Sequence, residues 1–127
     1  MALYGSSAQD NLGQLHIVTG RIIYTTGVPA LTCNDNSATV ADTGAGNPTV
    51  TFGEAFLSAP QATASVLKGT HVAGELDQVH IEACTTTSLE LQVQRATDTG
   101  VGATDVAAQD PDDTEGIMFI CIGLRDN

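Results

Sequence analysis

A chain of 127 residues and 13.1 kDa, with a mean hydropathy of +0.06, has room for one domain with its own core and not for two ordinary ones. Four Lys and Arg against fifteen Asp and Glu give a formal charge of −11, which argues against binding nucleic acid by phosphate neutralisation and against an anionic membrane surface. No run approaches the ~18 apolar residues of a membrane-spanning helix.

Residues 1–14 are polar and carry isolated Leu3, Tyr4 and Leu12. They read as an arm, and those three apolar side chains are its candidates for touching a partner. The first ten residues have neither the basic stretch nor the apolar core of a secretory leader, so the expectation is use without secretion. The β-branched run from Leu15 to Thr26 predicts a strand, with Gly20 marking a bulge or a close backbone approach. Gly27-Val28-Pro29-Ala30 is expected to break it. Asn34-Asp35-Asn36-Ser37 and Asp42-Thr43-Gly44-Ala45-Gly46-Asn47 have turn chemistry, and a short strand fits over 38–40 between them. Thr49-Val50-Thr51-Phe52 alternates, with Val50 and Phe52 on one face, and Ser58-Ala59-Pro60 ends the segment. Residues 61–67 alternate again, with Ala62, Ala64 and Val66 together. A polar connection covers 68–76.

The clearest hairpin follows. Residues 78–84 place Val79, Ile81 and Ala83 inward, Thr85-Thr86-Thr87-Ser88 turns the chain, and residues 89–95 place Leu89, Leu91 and Val93 inward. Residues 96–115 read as a long loop, with at most one helical turn over 103–108. The final run 116–124 is continuously apolar and predicts a strand covered on both faces. The fold class is all-β: a single antiparallel β-sandwich of jelly-roll or immunoglobulin-like kind, with six to eight strands over 15–127 behind the arm 1–14.

Sites of chemistry are sparse. Lys68 lacks the glycine spacing of a P-loop, and no G-x-S-x-G is present. Gly44-Ala45-Gly46 and Gly100-Val101-Gly102 lack the third glycine of a dinucleotide fingerprint and read as turns. Cys33, Cys84 and Cys121 have no zinc spacing and read as structural thiols. His16, His71 and His80 are scattered. In the acidic run Asp110-Pro111-Asp112-Asp113-Thr114-Glu115, the carboxylates Asp110, Asp112 and Asp113 are weak calcium candidates. The run does not fit an EF-hand, and a solvated acidic loop is the expected reading. Neither a metal nor a cofactor is expected, and no catalytic constellation is found.

Gly46-Asn47-Pro48-Thr49-Val50-Thr51-Phe52-Gly53-Glu54-Ala55-Phe56-Leu57-Ser58-Ala59-Pro60, running into Gln61-Ala62-Thr63-Ala64-Ser65-Val66, resembles small β-sandwich virion proteins of tailed bacteriophages, marine podophages in particular. The opening Met1-Ala2-Leu3-Tyr4-Gly5-Ser6-Ser7 and the closing 112–119 are similar to the same group. The resemblance implies a capsid decoration (cement) protein on the exterior of the virion, made in the host cytoplasm. It implies a homotrimer that braces the major capsid protein, and no catalytic residues. The T-V-T-F … F … P layout also occurs in lectin-like and tail-fibre modules. A tail-fibre tip or lectin-like receptor binder is therefore the alternative. Neither reading involves nucleic acid or membrane.

Overall fold

The β-branched run forms strand β1, Gln14–Thr25, in a computed structural model that describes residues 13–70, 72–100 and 103–126. The chain turns at Thr26 and Gly27, both at positive φ (51° and 78°), into β2, Val28–Cys33. Two left-handed residues make the tight hairpin loop whose twist matches its strands. The stretch 27–30 breaks β1 as expected, and it also begins a strand that was not foreseen. Pro29 is accommodated because β2 is an edge strand, with one side that needs no ladder hydrogen bond.

Seven more strands follow: β3 (Thr39–Asp42), β4 (Pro48–Thr51), β5 (Gln61–Leu67), β6 (Glu75–Cys84), β7 (Ser88–Gly100), β8 (Ala103–Ala108) and β9 (Gly116–Arg125). They form two antiparallel sheets that pack as a β-sandwich. Sheet A has the order β2-β1-β9-β5. Sheet B has the order β3-β4-β7-β6, with β8 also on β7. The strand count exceeds the expected six to eight because β2 and β8 were not foreseen. Residues 96–115 are a loop only in part. β7 continues to Gly100, and the Ala-rich stretch 103–108 pairs with it as a strand rather than making a helical turn.

The core lies between the sheets. Val18, Ile22 and Tyr24 of β1 and Ile117, Phe119 and Cys121 of β9 meet Val50, Phe52, Phe56 and the inward row Leu89, Leu91, Val93 of β7. Phe52 and Phe56 pack edge to face with centroids 5.1 Å apart. Gly20 is a close approach and not a bulge: a side chain there would come within 2.7 Å of the Thr32 carbonyl and 3.0 Å of the Phe119 ring.

Two burial expectations need correction. In β6 a bulge between Ile81 and Ala83 shifts the register, so Cys84, not Ala83, pairs with inward Leu89. Val79 and Cys84 pack on the core, while Ile81 is 39% exposed. In β9 only one face is covered. Met118, Ile120, Ile122 and Leu124 point away from sheet B and are exposed. A continuous apolar run signals burial on both faces only if a second layer exists, and sheet A has a layer on one side.

All three cysteines are free, and burial pushes each thiol up, Cys121 to about 12. Aromatic-disulfide titration near neutral pH is expected to leave Cys121 unmodified in the native protein and to modify all three in urea. Rapid native labelling of Cys121 would contradict its place in the core.

Candidate functional site

The structure disperses the three acidic candidates. Asp110 Oδ1 accepts the Gly46 N–H at 2.6 Å, and Asp113 Oδ1 accepts the Thr26 N–H at 2.5 Å. These bonds pin the loop before β9 onto the β3–β4 turn and onto the strained β1–β2 turn. Asp112 instead turns toward Arg95. Among the described residues no group of three His, Cys, Asp or Glu is placed to hold a metal ion. Leu3, Tyr4 and Leu12, the arm candidates, lie outside the described residues, as does His71. His80 Nε2 lies 3.1 Å from Gln94 Oε1 on the wet face of sheet B.

Asp112 belongs to an ion network at one end of the sandwich that sequence reading missed. Arg95 is 7% exposed and is the cross-strand partner of Asp77. Its Nε and Nη2 grip the Asp77 carboxylate at 2.6 and 2.8 Å, and its Nη1 and Nη2 grip Asp112 at 3.2 and 3.0 Å. Glu75 lies 3.5 Å from Nη1. Lys68 Nζ joins Asp77, Asp112 and Glu115 at 3.3, 3.2 and 3.1 Å. Glu115 Oε1 also accepts the Gly69 and Thr70 N–H groups. The Arg95 hydrogen bonds, opposed by desolvation, hold the Asp77 and Asp112 carboxyls below their usual value. The signal was available: Arg95 continues the inward parity 89, 91, 93, and Asp77 that of Val79. The network ties β6, β7 and the connections 68–70 and 112–115 together. Its cations and carboxylates pair chiefly with one another, Glu115 Oε2 meeting Lys68 only as an ion pair, so the network acts as a clamp, beside a cleft of about 330 Å³ lined by Val66, Lys68, Glu75, Leu76 and Asp77.

A polar cleft of about 230 Å³ lies at the other end, between His16, Asn34, Asp35, Asn36, Ser37, Glu54 and Arg125. Several of its polar groups are committed to the fold. The Asn34 amide accepts from Thr19 N–H and donates to the Ile17 carbonyl, each at 2.8 Å, and so stands in for a strand along the edge of β1. Asp35 accepts the Ser37 and Gly53 N–H groups, and Arg125 pairs with Glu54. Among the described residues, the buried His16 Nε2 and Arg125 Nε have no hydrogen-bond partner.

The outer face of sheet A is an open apolar feature. Leu15 pairs with Leu124 and Ile17 with Ile122 across β1 and β9. Ile120 lies between Thr19 and Thr63, and Met118 between Arg21 and Ser65. The outward strand positions carry no carboxylate, and Arg21 is their one charge. Sheet B contrasts with this. Its outward face bears Glu90 and Asp98 with a glutamine network in which Gln94 bonds Gln92, Gln78 and His80.

Comparison with protein-family models, curated proteins and solved structures finds no match.

Proposed function

We propose that this chain is a structural virion protein: a capsid decoration (cement) subunit that associates as a homotrimer on the exterior of a tailed-phage shell and braces the major capsid protein. The observation that carries the reading is the carboxylate-free aliphatic face of sheet A on a chain of net charge −11. Such a face is built to be covered by protein. The layout of residues 46–66 supports the virion assignment through its resemblance to small β-sandwich virion proteins. An acidic subunit outside the shell has no need to meet packaged DNA. The reading includes no catalytic step, cofactor or membrane. Residues 1–14, with Leu3, Tyr4 and Leu12, supply the contact to the shell.

A second reading, a tail-fibre tip or lectin-like receptor binder, is favoured by one observation. Among the described residues, two buried nitrogens of the polar cleft, on His16 and Arg125, have no hydrogen-bond partner.

The test is light-scattering mass on the purified protein, followed by co-sedimentation with empty phage capsids. The expected result is a mass of three chains and saturable pelleting. Removing residues 1–12, which leaves β1 intact, is expected to weaken pelleting at least ~10-fold, as loss of a few buried apolar anchors does. A trimer that ignores capsids but is retained on a glycan array transfers the assignment to receptor binding. A monomer that does neither overturns both readings.

A further inference from the structure

Six aliphatic side chains on the outer face of sheet A (Leu15, Ile17, Met118, Ile120, Ile122 and Leu124) are each between 41% and 68% exposed. Together they present on the order of 500 Å² of apolar surface, at the upper end of what a soluble monomer leaves bare. They are contiguous. The register sets Leu15 beside Leu124 and Ile17 beside Ile122, and Ile120 and Met118 continue the row along β9. Threonine, serine and glutamine flank the row on β1 and β5, as Thr19, Thr63, Ser65 and Gln61. A hollow of about 130 Å³ opens between Thr19, Thr63, Ser65, Met118 and Ile120.

We propose that this face is an interface between copies of this chain, with Ile120 and Met118 at its centre. Charge selects the occupant. Fifteen acidic residues make any two copies repel, and close approach is cheapest where neither presents a carboxylate. The outward strand positions of sheet A meet that condition and those of sheet B do not. A strongly basic partner would instead call for an acidic surface, and this face offers none. The area is also adequate. Four strands about 4.8 Å apart and some seven residues long span about 450 Å² in projection, and corrugation by side chains brings the face to the order of the ~800 Å² that one subunit gives to a standard interface. The sequence supports the same conclusion: β9 is apolar at every position from Ile117 to Leu124, as a strand covered on both sides would be. Sheet B supplies one cover, and a second copy supplies the other. The inference rests on the self-association in the proposed function and not on its capsid binding.

The experiment compares the mass of the full chain with that of Ile120→Asp and Met118→Lys. Gln92→Asp on sheet B serves as a control with the same charge change as Ile120→Asp, and circular dichroism confirms that each variant folds. The expected result is that the parent and the control are oligomers. The two face variants raise the dissociation constant at least ~100-fold, because a buried unpaired charge replaces an apolar anchor. Peroxide oxidation of Met118 gives an independent reading. It is expected to be slow in the parent and fast in folded Ile120→Asp. Oligomers of unchanged mass in both variants overturn the inference. So does a monomeric parent in which deletion of residues 1–12 speeds Met118 oxidation, since the chain's own arm would then be the cover. A dimer that Ile120→Asp dissociates keeps the interface and overturns the three-fold symmetry. Face variants that dissociate while the parent fails to pellet with capsids keep the interface and overturn the virion reading.

Discussion

Replacing Arg95 with methionine is expected to cost about 3–5 kcal/mol of unfolding free energy, a large part of the ~5–15 kcal/mol that a domain of this size has. Methionine keeps the apolar stem packed and removes only the fork. Asp77, whose side chain is 3% exposed, then loses both bonds from Arg95 and keeps Lys68 alone at 3.3 Å. Asp112 and Glu75 lose their share as well. Most of the cost is the desolvation of a carboxylate left without its partner, so removing that carboxylate too is expected to recover much of it. Urea unfolding of Arg95→Met, Asp77→Leu and the double variant tests this. Strict additivity of the two single effects would show that the pair is uncoupled. Acid sets the sign of a second effect. Asp77 and Asp112 titrate below their usual 3.8 in the folded state, so their contribution is complete above about pH 4 and is lost as pH falls through their native values. The parent is expected to lose stability steeply in that window, and Arg95→Met much less so.

Gly116→Ala is expected to destabilise by about 4 kcal/mol, above the usual ~1–3 for overpacking, because the obstruction is backbone. A Cβ at Gly116 would fall 1.7 Å from the Ile22 carbonyl oxygen and 2.8 Å from its carbon. Neither strand has slack there. Gly116 pairs with Ile23, and the next residues are clipped by Tyr24 N–H to the Glu115 carbonyl and Thr114 N–H to the Tyr24 carbonyl, both at 2.9 Å. Relief requires β1 and β9 to separate at the point where the core is anchored by Ile22 and Ile117. Gly69→Ala is the control. Its nearest neighbour is 3.6 Å away and its N–H is retained for Glu115, so a change within about 0.5 kcal/mol is expected. Thermal unfolding of both variants decides the point, and equal losses would mean that the close contact at Gly116 is not what matters.

Most of the fold was legible in alternation. The rows Val50/Phe52, Ala62/Ala64/Val66 and Leu89/Leu91/Val93 declare a two-layer antiparallel sandwich, and each takes the face its parity implies. What escaped has physical causes. β2 was hidden by Pro29, which is tolerated only at a sheet edge, and by a Thr-Gly turn that lacks the usual Asn-Gly or Asp-Gly signature. β8 was hidden by composition, since three alanines and an aspartate among its six residues favour strands weakly, and its pairing is supplied by an unusually long β7. The bulge in β6 is one residue of slip that no local pattern announces. The clamp was readable from parity but looked like a solvated acidic loop, because its cations stand seventeen or more residues from Asp112 in sequence. The aliphatic face was visible as the apolar run of β9, which was expected to be covered on both faces, whereas sheet B covers only one.

The order of strands in sheet A has a consequence for synthesis. β9 sits between β1 and β5 and is the last strand in chain order among the described residues. A growing chain that has exposed β1 and β5 to solvent holds two open edges and half a core until the segment after residue 115 leaves the ribosome. Sheet B is not delayed in this way, because β6, β7 and β8 form a meander of neighbours that assembles locally. A nascent molecule is therefore expected to pair the strands of sheet B ahead of those of sheet A. Its unpaired edges are then open to aggregation, and it is best served by a chaperone or by rapid release.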